Sequence, residues 1–196
     1  IIVIVLMRVG YEPRIVGRDV GTTLIFNWLL YGYGVPAASF WYAGYLLRRR
    51  ADDLPTRMAE AAAILFTVLL ALLQIRHYMN NGDVFRQSAA LAEIAMQVSV
   101  GFAMAIGLER LRMRSNSVVH NAGALLIFVA TLLATLFGLA VGVNPMLTGR
   151  PVGGVFFNLV LLGYGIPALL AAILALIARN NRPLAYRAIA ATAAVG

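Results

Sequence analysis

Cysteine and lysine are both missing from this 196-residue chain. Without cysteine there is no disulfide framework, no thiolate metal site and no thiol nucleophile. Histidine is nearly missing as well. His77 and His120 are the whole stock and do not form a ligand-spaced pair, so the expected metal and cofactor complement is none. Charge is scarce: 12% of residues are charged, against about 25% in soluble domains. All 16 basic residues are arginine, and they fall in short clusters between apolar runs. Basic and aromatic residues are not interleaved on any polar surface, which argues against nucleic acid as a partner. The net charge of +8 fits loops beside anionic lipid headgroups instead.

What is abundant is apolar. Hydrophobic residues make up 61% of the chain, and the mean hydropathy is +0.83. Five spans near the ~20 apolar residues that a bilayer demands are expected, at 24–47, 58–75, 89–108, 118–143 and 155–178. They are apolar nearly all round, so no amphipathic soluble arrangement suits them. The expected fold is all-α, a polytopic transmembrane helix bundle. Residues 1–196 read as a single transmembrane domain cut from a larger polytopic protein, because Ile1–Met7 and Arg187–Gly196 look like parts of further spans. No charged region precedes an apolar core at the start, so a cleavable signal peptide is not visible. Membrane lipids and the remaining helices of the parent chain are the expected partners.

A near-copied segment organises the chain. Phe26–Ala37, FNWLLYGYGVPA, recurs as Phe157–Ala168, FNLVLLGYGIPA, with eight of twelve positions identical. Gly17-Arg18-Asp19-Val20-Gly21 and Gly149-Arg150-Pro151-Val152-Gly153 precede the two copies, which extends them to 17–50 and 149–182. Three spans separate the copies, so both should cross in the same direction. The reading is a parallel internal repeat of about four helices, a pattern met in transporters.

Each copy carries a candidate helix break: Gly32, Gly34 and Pro36 in the first, Gly163, Gly165 and Pro167 in the second. Proline removes a backbone donor and crowds the carbonyl four residues earlier, here that of Gly32 or Gly163. Freed carbonyls can line a substrate path; the plainer reading is a kink with small residues at a helix contact. Asn27 and Asn158 open the copies and can either cap the span or bond to a neighbouring helix. Arg76, His77, Glu93 and Gln97 form a candidate polar cluster. The first two end the second span, and the others share one face near the start of the third, on the same membrane side. It reads as a proton-linked or ligand-binding cluster, or as a structural salt bridge. Asp52-Asp53 invites comparison with the acidic pairs of membrane glycosyltransferases; the simpler role is to cap the next span, with Pro55 in its first turn. His120-Asn121 reads as a polar pair near the headgroups.

Loop charge sets the orientation. Ten arginines fall on one side and six on the other. The positive-inside rule therefore places loops 48–57, 109–117 and 179–187 in the cytoplasm. Trp41, Tyr42 and Tyr45 precede Arg48-Arg49-Arg50, as an aromatic belt would.

The strings FNWLLYGYGVPA, RRRADDLP, QIRH, SAALAEIA and NPMLTGRPVGGVFFNLVLLGYGIPA resemble the bacterial membrane proteins grouped as domain of unknown function 2339. The resemblance runs from about Phe26 to Pro183. It implies a multi-pass inner-membrane protein with more spans than these and a soluble N-terminal region, and it implies no activity. Transport or export of a small or cell-envelope-related molecule is the leading expectation. A membrane-embedded enzyme of envelope lipid or glycan assembly, or a structural scaffold, are the alternatives; no catalytic residues are assigned.

Overall fold

The computed structural model describes Met7, Val20, Gly21, Thr23, 25–86, 91–149 and 160–195. Asn158 and most of 149–159 lie outside these residues, as does most of 1–19. The chain divides into two compact units, Ile1–Ser88 and Ala89–Gly196.

In the first unit a π-helical turn, π1 (Leu30–Gly34), runs into α1 (Val35–Arg48), and a short connection leads to α2 (Leu54–Met79). Asp53 starts α2 by accepting the Thr56 amide, with Pro55 in the first turn, where its missing N–H costs nothing. No glycine interrupts the next 26 residues, a length of about 39 Å against a hydrocarbon core of ~30 Å. The helix stops at Asn81 and Gly82, both at positive φ (53° and 95°), and the Gly82 amide reaches back to the His77 carbonyl at 2.9 Å. That is a Schellman stop, which needs a left-handed residue. The core is aromatic: Phe66 stacks on Phe40 at 5.7 Å and meets Tyr33 at 6.1 Å, with Leu29 and Ala37 alongside.

The second unit is built around α3 (Leu91–Ser115). Leu91, Ala95, Val98, Phe102, Ala105 and Glu109 are all buried, at spacings of three and four that place them on one stripe. α4 (Val118–Leu133) follows, capped by Ser117, and passes without interruption into a nine-residue π segment, π2 (Ala134–Gly142). A single turn, α5 (Pro145–Thr148), comes next; then π3 (Leu161–Gly165) leads into α6 (Ile166–Ala178), and α7 (Leu184–Val195) returns along α6. Helix α3 packs on α4, α6, π2 and π3. Small residues permit close approaches: a Cβ on Gly101 would collide with Thr131 Oγ1, and one on Gly163 would lie 3.3 Å from Leu91 Cδ1.

Among the described residues four helices are long and apolar enough to cross a membrane: Leu54–Met79, Leu91–Ser115, Val118–Gly142 and Leu161–Ala178. The span expected at 24–47 is helical from 28 to 48 but is not among them. Its tyrosines, tryptophans and glycines make it less apolar than the rest. Leu126, Val129, Leu133, Phe137 and Val141 stand exposed at three- and four-residue steps along α4 and π2. Such a stripe suits lipid, which satisfies no polar group and penalises no apolar one.

Candidate functional site

Of the residues singled out as helix breaks, Gly32, Gly34, Gly163 and Gly165 lie on π1 and π3, and Pro36 and Pro167 lie in the first turns of α1 and α6. The two π-turns occupy the same five positions of the two copies, LYGYG and LLGYG. In each, the amide after the turn bonds to the carbonyl five residues back: Val35 to Leu30, Ile166 to Leu161. The next residue is proline. Pro36 can supply no donor to Tyr31 in the π register or to Gly32 in the α register, so the ladder runs one donor short at that point. The chain stays helical throughout, with φ/ψ of −72°/−44° at Gly34 and −66°/−46° at Gly165. The spans therefore widen by a residue rather than unravel. The fifth position is glycine in both copies, and a side chain there would push aside a leucine end. A Cβ on Gly34 would meet Leu30 Cδ1 at 2.7 Å, and one on Gly165 would meet Leu161 Cδ1 at 2.8 Å.

The third π segment, π2, has no proline to announce it. Tyr164, the central tyrosine of π3, donates its hydroxyl to the Leu139 carbonyl of π2 at 2.8 Å. One π segment is thereby tied to another. Tyr33, at the matching place in π1, is buried against Phe66 instead.

Two buried carboxylates that were not picked out from sequence are held by arginine. In the first unit Glu60 on α2 accepts both arms of Arg48 at the end of α1; Nη2 lies 2.8 Å from Oε2, and Nε faces Oε1. In the second unit Glu109 is fully buried on α3. Arg112, one turn on, reaches its Oε1 at 2.6 Å. Arg182, between α6 and α7, reaches its Oε2 at 2.7 Å and also donates to Asn121 Oδ1 at 2.7 Å. The Tyr186 ring lies 5.2 Å from the Arg182 guanidinium carbon. Burying a charge is costly unless it is paired and hydrogen-bonded, and this pairing explains how both glutamates sit inside. The signal in the sequence was their place on the core stripes: Glu60 is four residues from buried Thr56, and Glu109 four from buried Ala105.

Among the polar residues named from sequence, Asn27 does two things. Its Oδ1 accepts the amides of Leu29 at 3.0 Å and Leu30 at 3.3 Å, and its Nδ2 donates to Gln74 Oε1 on α2 at 2.8 Å. It is both a cap and a bridge between helices. Arg76 donates to the carbonyls of Val84 and Arg86, the latter at 2.6 Å, folding the loop after α2 back onto its end. His77 Nε2 lies 2.7 Å from the Gly21 carbonyl. Gln97 Nε2 lies 3.4 Å from Glu93 Oε1 on the same face of α3. Arg76 and His77 belong to the first unit, and Glu93 and Gln97 to the second.

The acidic pair is occupied locally. Asp53 caps α2, and the Thr56 hydroxyl and amide hold its carboxyl below the usual carboxylate range. Asp52 pairs with Arg57 at 3.1 Å, which lowers it likewise. His120 Nδ1 lies 2.7 Å from Ser115 Oγ, and Asn121 belongs to the Glu109 cluster. Among the described residues no three His, Asp or Glu side chains gather as a metal site would require. Arg49 lies 4.4 Å over the Tyr45 ring, joining the aromatic run to the basic one.

Residues 1–196 match the family described as Predicted membrane protein (DUF2339), and the chain belongs to that family. No curated protein and no solved structure matches it.

Proposed function

We propose that this membrane protein forms part of a transporter or exporter for a small or envelope-related molecule, with the two Gly-Tyr-Gly-x-Pro spans as its moving parts. The observation that carries the reading is the recurrence of one π-turn, one donor short, at corresponding positions of two spans. A π-turn holds one residue more than an α turn. Losing or shifting it rotates the rest of the span by about 100°, one residue's step. The carbonyls at Tyr31 and Gly32, or Leu162 and Gly163, are then free to meet a passing polar group. A duplicated pair of such spans is the arrangement a parallel repeat would supply.

Because the chain has no cysteine, the test is direct. Gly34→Cys and Gly165→Cys place thiols against flexible leucine ends. In membrane vesicles both should react with the small membrane-impermeant cation MTSET, because a conducting path is wet. Silence at both positions, with a loop cysteine reacting normally, removes the transport reading. The reading also assigns the inner membrane, with loops 48–57, 109–117 and 179–187 cytoplasmic, supported by the arginine excess and by Arg49 stacked on Tyr45. Arg50→Cys and Arg114→Cys should resist MTSET in intact cells and react after permeabilisation; prompt reaction in intact cells reverses the orientation.

A further inference from the structure

Several of the arginines described at the ends of the spans have an acid or a carbonyl to hold. Arg48, Arg112 and Arg182 grip glutamates, and Arg57 grips an aspartate. Arg179 and Arg187 differ. Among the described residues neither has an acidic partner, and the segment from 179 to 187 contains three arginines and no acid. They stand together at one end of a cleft of about 520 Å³ between α6 and α7. Below them the walls are apolar and mostly small: Ala172 and Ala175 from α6, Ala191 and Ala194 from α7. Arg179 follows the last residue of α6 and Arg187 lies in the first turn of α7, so both sit at the end of the helix pair. From Arg187 to Ala194 the cleft descends about 10 Å along α7, at 1.5 Å per residue.

We infer that this cleft binds an anionic phospholipid, with the phosphate held by Arg179 and Arg187 and an acyl chain laid between α6 and α7. Charge complementarity commits the cleft to that occupant. A neutral helix of the parent chain would fill the alanine-walled part but bring no counter-charge to the two arginines. A free phosphate would satisfy the arginines and leave the apolar walls empty. Only an amphiphile with a negative head answers both halves. Arginine suits the role because its planar fork pairs two donors with one phosphate. Basic pockets between spans, at the headgroup level, are where anionic lipid headgroups are recognised. The alanines supply the width: larger side chains would close the gap that a lipid tail needs. This site is separate from the π-turns and does not depend on the transport reading.

The test uses the purified protein in neutral detergent, titrated with phosphatidylglycerol or with phosphatidylcholine of the same chains, and read by native mass spectrometry. Phosphatidylglycerol adducts should exceed phosphatidylcholine adducts severalfold. Arg179→Gln with Arg187→Gln should bring the two to parity while leaving the circular dichroism unchanged, since neither arginine pairs with an acid. Ala175→Phe should lower retention of both lipids by filling the tail channel. Equal adducts in the unmodified protein overturn the inference, as does a preference that survives the double glutamine change. If inorganic phosphate alone, at the same concentration, displaces the lipid completely, the arginines are a free-anion site and the acyl channel is wrong.

Discussion

The two units solve the same problem with different reach. Each clamps a buried glutamate with arginine. In the first unit the clamp closes a hairpin: Arg48 and Glu60 are twelve residues apart, on helices joined by a short loop. In the second the clamp is long-range: Arg182 comes from 73 residues beyond Glu109, and Asn121 on a third element shares it. The π-turns diverge in the same way. Tyr33 packs locally into an aromatic core, whereas Tyr164 crosses to a separate π segment. A recurring motif therefore does not carry its environment with it. The backbone turn recurs, and the partners are set by whichever helices the second unit has gathered around α3.

The clamps offer the largest test of that contrast. Glu109→Ala leaves Arg182, only 7% exposed, without its counter-charge. Breaking a buried pair in this way costs about 3–5 kcal/mol. Arg48 is 21% exposed and can turn toward water when Glu60→Ala removes its partner, so that loss should be about 1.5–3 kcal/mol. Denaturant unfolding of the purified protein in detergent measures both. Equal losses would mean that the long-range clamp is no more central than the hairpin clamp.

Much of the fold was legible because lipid imposes length and apolarity on every crossing. The runs at 58–75, 89–108 and 118–143 lie within α2, α3 and α4–π2 almost throughout, since their few polar residues do not interrupt the apolar pattern. The first span was less legible as a membrane-length helix, because its aromatic residues and glycines dilute the very property used to find it. The site was read unevenly. Gly-Tyr-Gly-x-Pro was visible because proline and glycine act on the backbone wherever they stand. Segment π2 was invisible, having no proline. Glu60 and Glu109 were not legible as a site, because each stands at the end of an apolar run, beside loop arginines. Their positions on the core stripes carried the signal, but their arginine partners come from other elements, and only the packing joins them.

The tyrosine contrast predicts a smaller effect. Tyr164→Phe keeps the ring and removes only the hydroxyl that reaches the Leu139 carbonyl. The expected loss is about 0.5–1.5 kcal/mol, the net worth of one neutral hydrogen bond. It should be localised. Hydrogen exchange should quicken across 134–142 and stay unchanged in 54–79, which belongs to the first unit. An unchanged rate across 134–142 would show that π2 holds its register without Tyr164.

The smallest effect concerns how helices begin. In the first unit α2 is capped by Asp53, which titrates; in the second α4 is capped by Ser117, which does not. Thr56 stabilises the charged form of Asp53 and so lowers its pKa. A lowered carboxylate pKa contributes stability that is complete above the unfolded value of about 3.9 and lost as pH falls through the folded value. Asp52, lowered by its bond to Arg57, adds in the same direction over the same window. Both side chains face solvent, so screening keeps the contribution small. Below about pH 4, then, the start of α2 should fray while the start of α4 does not. Hydrogen exchange at 54–57, corrected for the pH dependence of unstructured amides, should rise relative to 118–121. Asp53→Asn keeps a capping oxygen without the titration and should flatten most of that rise. If α2 frays equally in the Asp53→Asn protein, the cap is not the titrating element, and the contrast between the two helix starts fails.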